Sequence, residues 1–450
     1  MGFSYHPPTR KFCEICNALM ESDVRQPIIM TRNGKSSDSN GYPFHDWYNF
    51  VLGFTPTFPN YMLKREGISS KAGDVVLDPF VGSGTTQLVC KLQGVESIGI
   101  DANDFMVFAA EQKLNWHLDA QIISGLQQSV IYHYTAAQKN MDWSDNELLK
   151  KRATAIRPAA LDDRYISDKP LLKIFLLRDA VDALQTTDAY KDLFKFAISS
   201  ILVPVSNVKY GPGFGISKAK DDVDVLSVFS KKMDLIVRDL SNLSEQQKDT
   251  VSRTLLGDSR RLSEYVAPDS ITLIVTSPPY PGDHEYTKHS KLELIFQGFA
   301  TDISSFRTIK KRMIRGSTTN IYKDDHDGDM VHSIQEIVDV TDEIARRLAD
   351  DGATSGFEKL YTRLVWEYFG GMTHFLREAL RVLKPGGKIA LLVSDSHAFK
   401  MVHIETAKIL KIIGETLGFS NAEILLWQNK ISTSHKYQLR ENVLVMQKPE

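Results

Sequence analysis

Apolar residues recur along this chain with two different periods, and the alternation between them outlines an α/β protein. Short apolar runs over 75–77, 97–100, 253–256, 271–276, 388–393, 423–427 and 442–446 have the length and β-branched content of buried strands. Between them, residues 85–92, 105–118 and 402–417 place apolar side chains three and four apart, which is the helical spacing. Strands that alternate with helices and end in a hairpin predict a mainly parallel, seven-stranded sheet with one antiparallel edge strand. Residues 120–250 interrupt this rhythm. Helical spacing over 171–184, 193–203 and 223–243 reads as a mostly helical insert, and the glycine-rich 206–215 between them as an exposed loop. A second helical region covers 285–380, with loops at 324–329 and 350–355, and residues 383–387 form a turn. The expected organisation is an irregular segment 1–40, an α/β domain over 41–119 and 251–450, and the insert 120–250.

Composition narrows this only a little. The chain has 450 residues, 42% hydrophobic and 24% charged, enough for a large core in more than one domain. A net charge of −2 rules out a uniformly basic surface, so any polyanion would meet a local patch. Three cysteines, Cys13, Cys16 and Cys90, do not make a disulfide framework and suit a reducing compartment. Cys13 and Cys16 have zinc-ligand spacing, but no second pair follows at the required distance, so no metal is expected. Neither a membrane span nor a signal peptide is legible, and the expected location is the cytoplasm.

Two stretches carry chemistry. In the first, a strand ends in Asp78-Pro79-Phe80-Val81-Gly82-Ser83-Gly84-Thr85-Thr86 and runs into a helix. Strand, glycine turn and helix start open a nucleotide-sized pocket at the carboxyl end of a sheet. Glycines admit a ligand close to the backbone, and the helix start offers unpaired N–H groups. The spacing lacks the third glycine of a dinucleotide fingerprint. Asp101, at the tip of the next strand and about 20 residues on, stands where such folds bind ribose hydroxyls. The second stretch is Thr276-Ser277-Pro278-Pro279-Tyr280, again at a strand end. Two prolines fix φ and hold Ser277 extended, and neither proline nitrogen donates. The turn therefore presents acceptors, the Ser277 hydroxyl and the Pro278 carbonyl, with the Tyr280 ring beside them. A planar base with an exocyclic amino group asks for that combination. Ahead of both stretches lies an aromatic run: Tyr42, Phe44, Trp47, Tyr48, Phe50, Phe54, Phe58 and Tyr61. It either packs a core or folds over the pocket.

Together these stretches resemble the DNA amino-methyltransferases, which methylate the exocyclic nitrogen of cytosine or adenine. Residues 78–86 are similar to that family's cofactor motif, and residues 276–280 to its catalytic motif. Serine ahead of the prolines resembles the N4-cytosine branch. Gly257-Asp258 looks like the family's third-strand element, Leu383-Lys384-Pro385-Gly386-Gly387 like a turn common to many methyltransferases, and Phe58-Pro59 like the element before the glycine turn. The resemblance covers roughly 42–110 and 251–450. It implies a class I, Rossmann-like fold and S-adenosyl-L-methionine as cofactor. Asp78, Pro79, Phe80, Gly82, Ser83, Gly84, Thr85 and Phe58 would hold that cofactor, with Asp101 on its ribose and Asp258 on its adenine. Ser277, Pro278, Pro279 and Tyr280 would be catalytic, Tyr280 stacking on an extruded base. The implied partner is double-stranded DNA, with or without a cognate restriction endonuclease. The motif order departs from a simple layout, because the long insert separates the two motifs. Sequence recognition could lie in the insert or in 285–380.

Arg307, Lys310, Lys311, Arg312 and Arg315 form the densest basic cluster, a candidate for phosphate contact or simply a solvated helix face. Residues 206–214 and 432–440 are weaker candidates. Against the N4-cytosine reading stand N6-adenine methylation, methylation of an RNA base, and a catalytically silent cofactor- or DNA-binding module.

Overall fold

A computed structural model describes residues 42–210, 214–282, 284–352, 355–431 and 437–450. Residues 1–41 with Cys13 and Cys16, residues 211–213, and 432–436 of the candidate stretch 432–440 lie outside them. Nine strands are described: β1 (Val75–Asp78), β2 (Glu96–Asp101), β3 (Val208–Tyr210), β4 (Phe214–Ile216), β5 (Ser252–Leu256), β6 (Ile271–Thr276), β7 (Leu383–Ser394), β8 (Ser420–Ile431) and β9 (Gln438–Gln447). Seven of them make one sheet in the order β5-β2-β1-β6-β7-β9-β8. Pairs from β5 to β7 are parallel, while β9 runs antiparallel to both β7 and β8. This is the Rossmann-like arrangement expected, with one correction. The antiparallel strand is not at the edge; it is threaded between β7 and β8, and the edge strand β8 points with the others.

Burial on both faces explains the near-continuous apolar strands. In β7, Ile389, Leu391 and Val393 enter one core with Leu77, Ile274 and Leu444. Ala390 and Leu392 enter the other with Val76, Val275, Val443 and Phe58. The period-2 alternation is thus intact, with no polar face. The turn expected at 383–387 is instead part of β7: Leu383 already pairs with Ile271, and a register shift follows.

Helices α1 (Thr57–Arg65), α2 (Thr85–Leu92) and α3 (Asp104–Leu114) flank the first strands. The insert supplies α4 (Ala120–Lys139), α5 (Asn146–Ile156), α6 (Asp168–Asp182), α7 (Asp188–Val205) and α8 (Val225–Ser241). The region 285–380 is broken into α9 (Lys291–Phe296), α10 (Ile303–Lys311), α11 (Gln335–Asp350) and α12 (Tyr361–Val382), and α13 (Thr406–Leu417) precedes β8. The helix expected from 402 begins only at Thr406. The stretch expected to be an exposed loop is not one: β3 pairs with β4, and Ser206, Asn207 and Val208 are buried.

The insert has no core of its own. Its helices share one apolar cluster with Phe44, Trp47 and Tyr48, with Phe105 and Met106 of α3, and with Leu292, Leu294, Ile295 and Ile309. Asp239 ties this junction. Its Oδ2 accepts from the Phe44 N–H and the Trp47 Nε1–H, both at 2.9 Å.

Candidate active site

Strands β1 and β6 lie side by side, Val76 paired with Leu273 and Leu77 with Ile274. Their tips therefore leave the sheet together. The Thr276 hydroxyl donates to Asp78 Oδ1 at 2.6 Å, so the two motif-bearing loops are pinned at their roots. Above this point a cavity, about 980 Å³ when the open solvent at its mouth is counted, is lined by Pro79, Phe80, Val81, Gly82, Ser83 and Thr85 from one loop. Ser277 and Pro279 line it from the other. The glycine turn and the double-proline turn thus face one space.

The first loop holds its shape through glycine and Asp101. Gly84 sits at φ 86° just before α2, and a Cβ there would lie 3.1 Å from the Ala110 Cβ of α3, so that helix packs directly on the turn. Asp101 lines the cavity and braces the turn: its Oδ2 accepts from the Gly82 N–H at 2.8 Å, and its Oδ1 from the Asn103 N–H at 2.8 Å. Burial pushes its carboxyl up to about 6 despite those bonds. It is not the cap of α3. Asn103 is, its side-chain oxygen accepting from the Phe105 N–H, while its amide donates to Ser290 Oγ at 2.8 Å.

Other sequence candidates fall outside the cavity. Asp78 is fully buried at the strand tip, and burial pushes its carboxyl up to about 6. Phe58 is core, edge-on to Phe54 and Trp427; of the aromatic run before the glycine turn, Phe50 and Phe54 reach the cavity. The aromatic run therefore does both things the sequence allowed. Its front, Phe44 to Tyr48, is core, and residues 50, 52, 53 and 54 cover the cavity. Asp258 is turned from the cavity and clamped by Arg260, with Nε at 3.0 Å and Nη2 at 2.7 Å; its neighbour Ser259 is the residue that lines the space.

In the second loop the Tyr368 hydroxyl donates to the Pro279 carbonyl at 2.9 Å, and the Tyr280 N–H donates to the Tyr286 hydroxyl at 3.1 Å. These bonds fix the turn on either side. The Tyr280 ring packs toward the core instead of presenting a face to the cavity. Its hydroxyl lies 2.9 Å from Ser277 Oγ and 3.4 Å from Glu441 Oε1.

The basic cluster does not form a single patch. Arg315 is buried in a two-pronged pair with Asp325 at 2.8 and 2.7 Å, so it is not free for phosphate. Arg312 reaches the cavity and is held by Asp104 and the Ala102 carbonyl. Lys310 pairs with Glu285 at 3.1 Å and Lys311 with Asp324 at 3.0 Å. Arg307 is exposed, its guanidinium 6.0 Å from the centre of the Tyr322 ring.

Sequence reasoning missed the third wall of the cavity: Glu285, Tyr286, Met313, Ile314 and Asn320. Asn320 Oδ1 is buried there without a hydrogen-bond partner. No motif marks these residues, though their position after the double-proline turn could have drawn attention. Among the described residues Cys90 is the one cysteine, and it is buried outside the cavity with its thiol pushed up by burial. No helix among them is long and apolar enough to cross a membrane.

Residues 28–112 match the family model described as DNA methylase. Over most of its length the chain is similar to Type II methyltransferase M.BsoBI of Geobacillus stearothermophilus, at 22% identity covering 90% of this chain and 86% of that one. Type II methyltransferase M.AvaI of a Nostoc species is 21% identical, covering 96% and 90%. A shorter match, 36% identical over 98 residues, covers 22% of this chain and 17% of Type II methyltransferase M.MjaII of Methanocaldococcus jannaschii.

Proposed function

The chain belongs to the DNA amino-methyltransferases, and from that premise we propose that it methylates N4 of cytosine in a base swung out of duplex DNA, using S-adenosyl-L-methionine. One observation carries the reading: the Gly82 turn, with Asp101 of the next strand beside it, and the loop with Ser277 and Pro279 line one cavity. A module that only bound DNA or a nucleotide would need one of these loops, not both.

The residues present fit the cofactor. The glycine turn leaves room for its amino-acid portion, Asp101 offers a carboxylate to ribose hydroxyls, and the unpartnered Asn320 oxygen awaits a donor. Bound there, S-adenosyl-L-methionine supplies an electrophilic methyl group. Asp258 could reach its adenine only by loosening the Arg260 clamp, and Ser259 is the nearer candidate.

An amino nitrogen conjugated to a base ring is a weak nucleophile, since its lone pair is delocalised. Acceptors at Ser277 Oγ and the Pro278 carbonyl would draw its two N–H bonds out of conjugation and aim the lone pair into the cavity. Rate enhancement then comes from positioning and fixed dipoles, with no covalent enzyme intermediate. Phe50 and Phe54 add apolar wall to the same space. The preference for cytosine rests on the serine of the double-proline turn. Double-stranded DNA is the partner, and the relatives' names suit the modification half of a restriction system, beside a cognate endonuclease, or an orphan enzyme of the cytoplasm.

The test is to incubate the protein with methyl-labelled S-adenosyl-L-methionine and mixed-sequence duplex DNA, then digest to nucleosides. Label in N4-methylcytosine is expected. Label in N6-methyladenine would keep the family and overturn the base assignment, and labelled RNA with unlabelled DNA would overturn the substrate.

A further inference from the structure

Ser277 can do its proposed work only if its oxygen faces the substrate with lone pairs, which requires its own proton to be given away elsewhere. The structure contains a chain that does this. Ser277 Oγ lies 2.9 Å from Tyr280 Oη, and Tyr280 Oη lies 3.4 Å from Glu441 Oε1. Glu441 enters from the start of β9, where that strand lies between β7 and β8, and it is 3% exposed. Its Oε1 also accepts from Lys430 Nζ at 2.5 Å, and Oε2 from the Gln428 amide. A carboxylate paired with a lysine has only acceptors to offer. Tyr280 must therefore donate to Glu441, and its free lone pairs accept the Ser277 hydroxyl proton. One polarity results, and it leaves the Ser277 lone pairs toward the cavity.

We propose that Glu441 is a positioning residue and proton sink for the amino-methyl transfer, acting on the base through Tyr280 and Ser277. The inference rests on the function proposed above. Once the amino nitrogen has gained its methyl group it carries one proton too many. The N–H bond breaks, with its electron pair staying on nitrogen, and the proton goes to Ser277 Oγ. Ser277 passes its own proton to Tyr280, and Tyr280 passes its own to Glu441. The end state is a neutral methylamino base, unchanged Ser277 and Tyr280, and a protonated Glu441. A ring-bound ammonium is a far stronger acid than a carboxylic acid, so the transfer runs downhill. Lys430, whose side chain is 47% exposed, marks where Glu441 returns the proton to solvent. The same arrangement accounts for a tyrosine that turns inward when a stacking face would point outward.

The decisive measurement is single-turnover methyl transfer to duplex DNA by Glu441→Gln and Tyr280→Phe, both close to isosteric. Each should slow the step by about tenfold or more, the low end for loss of a proton relay. Apparent affinities for DNA and S-adenosyl-L-methionine should stay within about twofold, and the solvent deuterium isotope effect should change. The double variant should be no slower than the worse single one. Glu441→Asp, which restores a carboxylate, should recover part of the rate. In the protein alone, the shifts in Tm caused by the two substitutions should be non-additive, since the groups share a hydrogen bond. A wild-type rate and isotope effect in Glu441→Gln, or losses that multiply in the double variant, would overturn the relay and leave the methyltransferase reading standing. A wild-type protein that leaves every DNA base unlabelled would overturn both.

Discussion

Asp239, buried at the insert junction, and Asp101, half-buried beside the cavity, are both carboxylates that accept backbone N–H bonds, yet what they face differs. Asp239 Oδ2 is fully spent on two N–H groups and Oδ1 is taken by Arg238, with the apolar cluster of the insert alongside. Asp101 also accepts two backbone N–H bonds, but it stands on the wall of the space that the glycine turn and the double-proline turn share. Satisfied hydrogen bonds alone do not separate a structural carboxylate from a functional one. What separates them is whether the remaining lone pairs face protein or a cavity.

Variants should divide along the same line. The largest effect is expected for Ser277→Ala, which should lower the single-turnover methyl-transfer rate by roughly 10²–10³-fold with little change in Tm, the scale for losing one pre-set polar contact at a reacting centre. Asp239→Ala should do the reverse. Two buried donors lose their acceptor, so urea unfolding should show a loss of about 2–4 kcal/mol, while the rate per folded molecule stays near wild type. A normal rate in Ser277→Ala, or an unchanged stability in Asp239→Ala, would erase the distinction.

Asp101 gives a pH test of intermediate size. Its carboxyl titrates at about 6, raised by burial, so it is ionised above that value and neutral below. Ribose hydroxyls donate well only to the ionised form. Affinity for S-adenosyl-L-methionine, measured by calorimetry, should therefore be full at pH 7 and about tenfold weaker at pH 5. Stability of the protein without cofactor moves the opposite way. The folded state holds the proton more tightly than the unfolded one, so stability falls as pH rises from the ordinary aspartate range to about 6. Asp78 titrates in the same window and should contribute to the stability change without touching the cofactor. In Asp101→Asn the affinity should be low and flat across this range. The smallest effect belongs to Arg307, the exposed member of its cluster that makes no ion pair among the described residues. Arg307→Ala should weaken DNA binding about equally for all sequences and flatten the salt slope by roughly one unit.

Much of this architecture was legible because it depends on local pattern. The buried strands announce themselves by uninterrupted β-branched runs, and the two motifs by spacing at strand ends. The neighbouring positions of β1 and β6 follow from the order of elements in such folds. What was not legible depends on which of several similar residues a tertiary contact selects. Phe50, Phe54 and Phe58 look alike in sequence, but α1 begins at Thr57 and turns Phe58 into the core, leaving the other two at the cavity. Asp258 has an arginine two residues away, and that local clamp overrides its expected reach. Arg315 reads as part of a basic run until Asp325, ten residues on, folds back onto it. Glu441 carries no motif. Its signal was a pair of polar residues, Glu441-Asn442, leading directly into a run of buried apolar ones.

The placement of β9 has a consequence for how this molecule comes into being. Of the described strands it is the latest in chain order, yet it occupies an interior slot between two strands made earlier. A ribosome would release β7 and then β8 before the piece that joins them, so β8 stays undocked until residues 438–447 emerge. Glu441 rides on that same piece. A polypeptide that stops short of residue 438 would therefore lack both the strand that holds β8 on the sheet and the far end of the serine's hydrogen-bond chain.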